Sequence, residues 1–294
     1  MTAALRVLIT GGAGQLGRAL TATAPASARV DTPSRAELDV CSAEQVEHYI
    51  ERAEPQLIIN AAAFTAVDKA ESQREEAARI NIDGARNIAM GAAAKPDCRV
   101  IHISTDFVFD GTASSPYLPS SSTAPLGVYA ATKRAGELEV ANALPSRSLI
   151  LRTAWLYSLV GQNFLLTMLR LMRERRMVRV IADQVGTPTS TLSLASVVWR
   201  FAERADVSGV YHWTDAGVAS WYDFAVAIAE EGAARGLLPD DVEVLPITTE
   251  EYPTPATRPR YSVLDKGATV ATLGVQQVHW RRSLRSVLDG AVRS

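Results

Sequence analysis

A chain of 294 residues can bury a substantial core, and its length fits one large α/β domain with a smaller one appended. Its 30 basic and 32 acidic side chains, net charge −2, form no long block of one sign, which argues against a nucleic-acid platform or a polybasic membrane anchor. Cys41 and Cys98 lack a C-x-x-C, no apolar run approaches the ~20 residues of a membrane span, and the opening residues lack a secretory pattern, so a reducing cytoplasm is expected.

The first predicted strand, 6–10, leads directly into Gly11-Gly12-Ala13-Gly14-Gln15-Leu16-Gly17 and then a helical stretch. This is the context of a dinucleotide fingerprint, in which missing Cβ atoms let backbone amides and a helix N-terminus approach a pyrophosphate. Gly11, Gly14, Gln15, Leu16 and Gly17 are therefore cofactor candidates, and the absence of a Gly-Lys-Ser/Thr ending disfavours a Walker-type site. At the end of the second strand, 29–33, an acid would hold a ribose 2′-hydroxyl and an arginine a 2′-phosphate. Asp31 offers the first; Ser34 and Arg35 offer the second and stand nearer the strand tip, which favours NADPH with NADH tolerated. Asp39 and Val40 join the cofactor candidates.

A helix over 42–53 begins with Ser42 and Gln45 at capping-box spacing. The third strand, 57–60, runs into Asn60-Ala61-Ala62-Ala63, so that Ala61, Ala62 and Ala63 place small side chains against the cofactor. The fourth, 100–104, ends in Ser104-Thr105-Asp106, and the fifth spans 148–152. Strands alternating with helical segments predict a doubly wound parallel sheet. Beyond Thr153 the pattern loosens into a helix at 163–175, a strand at 178–182 and a helix at 192–204. A further helix at 220–235 opens on Ser220 and Asp223 at capping-box spacing. The expected division is a dinucleotide-binding domain, 1–153, and a substrate lobe, 154–294, with 178–215 returning to the first domain. Two flexible stretches, 111–127 and 252–259, are of the kind that covers a site.

Tyr129 and Lys133 stand four residues apart, on one face of a predicted helix. A nearby ammonium favours the phenolate and would lower the tyrosine pKa towards useful acid strength. A strand-end hydroxyl, Thr105, would hydrogen-bond the carbonyl oxygen that the tyrosine protonates. The four histidines, His48, His102, His212 and His279, have no ligand spacing, and no metal ligands are nominated. Asp68 and Glu71 read as a solvated first helical turn.

The glycine loop, Asn60–Ala63, Ser104-Thr105-Asp106 and Tyr129/Lys133 together resemble an extended short-chain dehydrogenase/reductase. Longer strings narrow the resemblance to the dTDP-4-dehydrorhamnose reductase family: Asn60-Ala61-Ala62-Ala63-Phe64-Thr65-Ala66-Val67-Asp68, Ser104-Thr105-Asp106-Phe107-Val108-Phe109-Asp110-Gly111, Arg152-Thr153-Ala154-Trp155, Asp183-Gln184-Val185-Gly186-Thr187-Pro188-Thr189 and Tyr252-Pro253-Thr254-Pro255-Ala256-Thr257-Arg258-Pro259. The resemblance implies a Rossmann-type sheet with a smaller C-terminal α/β substrate lobe. It also implies reduction of the C4 ketone of dTDP-4-dehydro-β-L-rhamnose, the last step of dTDP-L-rhamnose synthesis, by a monomer or homodimer.

By position, Tyr129 becomes the general acid, Lys133 its modulator and a cofactor-ribose ligand, and Thr105 the carbonyl hydrogen-bonder, with Ser104 beside the cofactor. Thr65, Val67, Asp106, Trp155 and Arg258 fall on the substrate side, Arg258 as a partner for the diphosphate. Some family members hold magnesium through acidic residues, one of them in the glycine loop; this chain has Gln15 there, so magnesium is not supported. Relatives that use the same Tyr/Lys pair as epimerases or dehydratases, or that act as regulatory subunits, are the alternatives. Net oxidation of added NADPH separates them.

Overall fold

A computed structural model describes residues 4–293. The first half runs β1 (Leu5–Thr10), α1 (Gln15–Ala22), β2 (Ala28–Asp31), α2 (Ala43–Ala53), β3 (Leu57–Asn60), α3 (Val67–Ser72) and α4 (Arg74–Ala78). A π-helical turn at Arg79–Asp83, α5 (Gly84–Ala93), β4 (Arg99–Thr105), α6 (Val128–Ala143) and β5 (Ser148–Thr153) complete it. The second half comprises β6 (Leu156–Tyr157), α7 (Phe164–Glu174), β7 (Met177–Ile181), β8 (Val185–Gly186), β9 (Thr189–Ser190), α8 (Thr191–Ala202) and β10 (Gly209–His212). It ends with β11 (Ala219–Ser220), α9 (Trp221–Ala233), β12 (Glu243–Ile247), α10 (Gly267–Leu273) and α11 (Trp280–Arg293). No helix among the described residues is long and apolar enough to cross a membrane.

Six parallel strands make the central sheet, in the order β10-β5-β4-β3-β1-β2. The order reverses at β1, and ligands of such sheets bind beyond the carboxyl ends of the strands near that reversal. Apolar side chains alternate between two cores. Val7, Ile9, Ile59 and Ile103 pack with Leu20 of α1 and Leu194, Val198 and Phe201 of α8. Leu8, Ile58 and Val100 face Val46, Ile50, Ile88 and Val140 of α2, α5 and α6. Burial on both faces explains why these strands read as near-continuous apolar runs.

A separate core joins α7, α9 and α11 through Leu165, Leu169, Phe224, Ile228, Leu284 and Leu288. Although α8 and β10 lie late in the chain, they pack on the first sheet: β10 pairs with β5, and Trp199 Nε1 donates to Leu20 O at 3.1 Å.

Three local expectations change. The second strand stops at Asp31, before Pro33. Ser42 accepts from Gln45 N at 3.3 Å and caps α2, but the Gln45 side chain accepts from Asp39 N at 3.0 Å, so the reciprocal half of that capping box is absent. At α9 the box closes, with Ser220 and Asp223 each accepting from the other's backbone. The strand β12 escapes sequence reading because it contains Pro246; it pairs on one side only, with β7, where a proline is tolerated.

Candidate active site

A cleft of about 950 Å³ opens along the carboxyl edge of the sheet and is lined from both halves of the chain. All of residues 11–17 border it, as do Ser34, Arg35, Asp39 and Val40 after β2, and Ala61, Ala62 and Ala63 after β3. Ser104, Thr105 and Asp106 close one side with Tyr129 and Lys133, and Thr65, Val67, Trp155 and Arg258 extend it. Gln162, Phe164 and Trp221 also line it. These belong to the looser second half, where no strand-end motif marks them. Of the two flexible stretches, 252–259 contributes Arg258, whereas 111–127 contributes nothing to this lining. It is pinned elsewhere: Tyr117 stacks on Phe109 at 4.2 Å and pairs through its backbone with Val263 and Asp265.

The glycine loop is shaped by close approach. Gly11 has φ +72°, and a Cβ there would lie 2.7 Å from the Ala61 and Ala62 backbone; one on Gly17 would lie 2.4 Å from Gly11 O. The loop is thereby drawn against the β3 exit. Gly14 caps α1 with no side-chain hydrogen bond and the first turn holds no acid, so its unpaired amides and positive dipole end remain for an anion. These features fit a dinucleotide pyrophosphate. At the end of β2, Asp31 accepts from Tyr49 Oη at 2.7 Å and does not line the cleft, while Ser34 and Arg35 do.

Gln15 ties the loop to the second lobe. Its Oε1 accepts from Ser158 Oγ at 3.0 Å and Asn163 Nδ2 at 2.8 Å, and its Nε2 donates to Gln162 O at 3.2 Å. A neutral amide whose oxygen already accepts two hydrogen bonds does not suit a magnesium ion, which prefers carboxylate and water. No magnesium is assigned here.

Helix α6 carries Tyr129 and Lys133 in its first two turns, and its start is fixed from outside. Gly127 offers no capping side chain; Glu71 Oε1 instead accepts from Val128 N at 2.8 Å. A Cβ on Gly127 would lie 2.7 Å from that oxygen, which explains the glycine. The expectation of a merely solvated Glu71 is thus corrected: its carboxylate sits at a helix N-terminus and sets the height of Tyr129. Glu71→Ala is expected to cost about 1 kcal/mol in urea denaturation and to lower turnover without abolishing it. The π-helical turn supports the same helix, since Asn81 accepts from Phe64 N at 2.9 Å and donates to Thr132 Oγ1 at 3.0 Å.

Lys133 is buried, and its Nζ donates to Ile103 O at 2.8 Å. Burial pulls its ammonium down to about 8, with the Glu137 charge opposing. Burial also pushes the Tyr129 phenol up to about 12, against a downward pull from its hydrogen bond with Thr105 and with a smaller upward push from Asp106. The expected lowering by lysine is therefore corrected: burial raises the phenol, and the only downward pull on it comes from Thr105. Thr105 Oγ1 accepts from Phe107 N at 3.2 Å and donates to Asp106 Oδ1 at 3.1 Å. Burial raises the Asp106 carboxyl to about 6, and its Oδ2 has no hydrogen-bond partner among the described residues.

Behind this group, Glu137 is fully buried and accepts from Ser104 Oγ at 2.5 Å, Arg134 Nη1 at 3.0 Å, and Arg152 Nε and Nη2 at 2.8 Å each. The lysine shift has a consequence for stability. Between about pH 8 and pH 10 the unfolded chain binds the Lys133 proton more than the folded one, so stability rises with pH in that window as the cost of burying the ammonium is lost. Urea denaturation of the wild type is expected to show this rise relative to Lys133→Met, which has no such proton.

The far wall is aromatic. Trp155 has φ +48°, a rare backbone state for a bulky residue, and stacks on Trp221 at 3.5 Å with planes 5° apart; Phe164 lies 4.7 Å from Trp221. One face of Trp155 is thus already covered. Arg258 donates through Nη1 and Nη2 to both oxygens of Asp68, at 3.0 and 2.7 Å, and through Nη1 to Thr254 Oγ1 at 2.6 Å. The pair corrects the solvated reading of Asp68, whose carboxyl Arg258 holds below its usual range.

The model of the RmlD substrate binding domain family matches residues 5–292. The dTDP-4-dehydrorhamnose reductase of Aggregatibacter actinomycetemcomitans is 39% identical over 289 residues, which cover 96% of this chain and 98% of the relative. Two solved structures superpose with a TM-score of 0.91 each. One is a dTDP-4-dehydrorhamnose reductase of Clostridium acetobutylicum, at 39% identity over 97% of this chain and 99% of that one. The other, from Bacillus anthracis and solved in complex with NADP, is 34% identical over 98% and 99%. The chain therefore belongs to the dTDP-4-dehydrorhamnose reductase family.

Proposed function

We propose that the cleft reduces the C4 ketone of dTDP-4-dehydro-β-L-rhamnose to dTDP-L-rhamnose, the last step of dTDP-rhamnose synthesis, with NADPH preferred and NADH accepted. The observation that carries this reading is that Tyr129, Lys133 and Thr105 border the same cleft as the glycine loop and its open helix N-terminus. A bound reduced nicotinamide would supply the hydride. Gly11, Gly14, Gln15, Leu16 and Gly17 hold the pyrophosphate side, Ser34, Arg35, Asp39 and Val40 the adenosine side, and Ala61, Ala62, Ala63 and Ser104 the floor between.

Tyr129 gives its proton to the C4 oxygen. A raised pKa suits that direction of reaction, because it keeps the phenol protonated until alkoxide charge develops. The buried Lys133 ammonium lies in the same cleft, where it stabilises the resulting phenolate and binds the cofactor ribose. Thr105 donates to the carbonyl oxygen by turning its hydroxyl away from Asp106. Thr65, Val67, Asp106 and Trp155 contact the sugar nucleotide, and Arg258, oriented by Asp68, faces the diphosphate.

In this reading residues 1–153 are the cofactor domain and 154–294 the substrate lobe, with α8 and β10 returned to the first sheet. The enzyme works in the cytoplasm as a monomer or homodimer. The test is oxidation of NADPH and of NADH coupled to enzymatically made dTDP-4-dehydrorhamnose. One NADPH consumed per dTDP-L-rhamnose formed supports the proposal. Conversion of the sugar without net oxidation would assign an epimerase or dehydratase instead.

A further inference from the structure

Among the described residues, six buried side-chain polar atoms have no hydrogen-bond partner, and two of these belong to residues that border the cleft, Asp106 Oδ2 and Thr153 Oγ1. Asp106 already stands on the proposed sugar side. Thr153 has no part in that reading, yet it is only 5% exposed and ends β5. An unpaired buried hydroxyl costs stability that a valine of the same shape would not. One kept at the wall of a cleft calls for a ligand group that completes it.

Its position selects that ligand. Thr153 is the register partner of Thr105, so the two strand ends lie about 4.8 Å apart. Along β5, Leu149 and Leu151 pack with Leu16 and Leu20 of α1, whereas Arg152 turns to Glu137 of α6. Alternation puts Thr153 on the α1 face, the side of the glycine loop, while Tyr129 and Lys133 come from α6 on the other. A nicotinamide strung from the glycine loop must reach the ends of β4 and β5 to set its hydride-bearing carbon beside a carbonyl held by Thr105 and Tyr129. The polar group of that ring, the carboxamide, is attached to the neighbouring carbon, and it can donate to or accept from a threonine hydroxyl.

We infer that Thr153 is a further cofactor-binding residue: its hydroxyl takes the nicotinamide carboxamide and so orients the ring beside Thr105. The inference rests on the dinucleotide reading of the cleft. It accounts for a hydroxyl that is buried, unpaired within the chain and placed at the strand end next to the carbonyl site.

The experiment is calorimetric binding to the wild type, Thr153→Val and Thr153→Ser, with urea denaturation of each ligand-free protein. The ligands are NADP⁺ and 2′-phospho-ADP-ribose, which lacks the nicotinamide, with NAD⁺ and ADP-ribose as a second pair. In Thr153→Val the Kd of the complete dinucleotide is expected to rise about 3- to 10-fold, the loss of one hydrogen bond, while that of its nicotinamide-free counterpart stays within about twofold. Thr153→Ser keeps the hydroxyl and should hold the wild-type Kd within about twofold. Ligand-free Thr153→Val should be at least as stable as the wild type, because it removes an unpaired buried hydroxyl. An unchanged dinucleotide Kd in Thr153→Val, an equal loss for both members of a pair, or a ligand-free variant less stable than the wild type overturns the inference and leaves the dinucleotide reading in place. If that Kd is unchanged while the KM for the keto-sugar rises, the hydroxyl serves the sugar. Failure of the wild type to bind any of the four ligands overturns both.

Discussion

Tyr129→Phe is expected to lower turnover of the keto-sugar by about 10²–10⁴-fold, the span general acid catalysis contributes. The ring's edge-on packing against Phe107, at 5.9 Å, needs no hydroxyl, so the variant keeps its shape. What it loses is the proton that burial holds on the phenol against the downward pull of Thr105. Dissociation constants for NADP⁺, measured by fluorescence, should stay within about threefold of wild type, because loss of the chemical step alone leaves ground-state binding nearly intact. Full turnover in this variant would remove Tyr129 from the mechanism.

Removal of Glu137 acts on the same helix from behind. Its carboxylate joins α6 to β4 through Ser104 and to β5 through a bidentate pair with Nε and Nη2 of Arg152, a residue only 2% exposed. In Glu137→Leu the guanidinium stays buried with its main partner gone, which should cost about 3–5 kcal/mol in urea denaturation. The double variant Glu137→Leu/Arg152→Met replaces the whole pair by apolar volume and is expected to recover most of that loss. If the double variant is no more stable than the single, the cost lies in packing and not in the stranded charge. The single variant also removes the charge that holds Lys133 up, so its ammonium should titrate lower than in the wild type.

The two consequences differ in what carries them. The tyrosine effect concerns one proton at one atom, and it appears in kcat with little change in stability. The glutamate effect concerns the platform, and it appears in stability first. Glu71 lies between: its hydrogen bond to Val128 N is structural, yet the first turn it caps holds Tyr129.

Much of this was legible along the chain because it depends on local periodicity and on glycine. Strands β1, β3, β4 and β5 were readable from their apolar runs, since burial on both sheet faces leaves little polar alternation to blur them, whereas the edge strand β2 is only partly covered. The glycine loop, Asn60–Ala63, the Ser104–Asp106 strand end and the Tyr129/Lys133 spacing each lie within a few residues of a strand end or on one helical turn. Short-range geometry nearly dictates where such motifs point.

What only the tertiary structure decided involves partners far apart in sequence. Asp68 finds Arg258 across 190 positions, Gln15 finds Asn163 across 148, and Trp221 covers a face of Trp155. Nothing in either local segment announces such a pair, because its energy depends on a third element holding both ends in place. Proton affinities belong to the same class. Spacing alone promised a tyrosine made acidic by lysine, but burial raises the phenol and lowers the ammonium, a desolvation effect that exists only once the chain has closed around them.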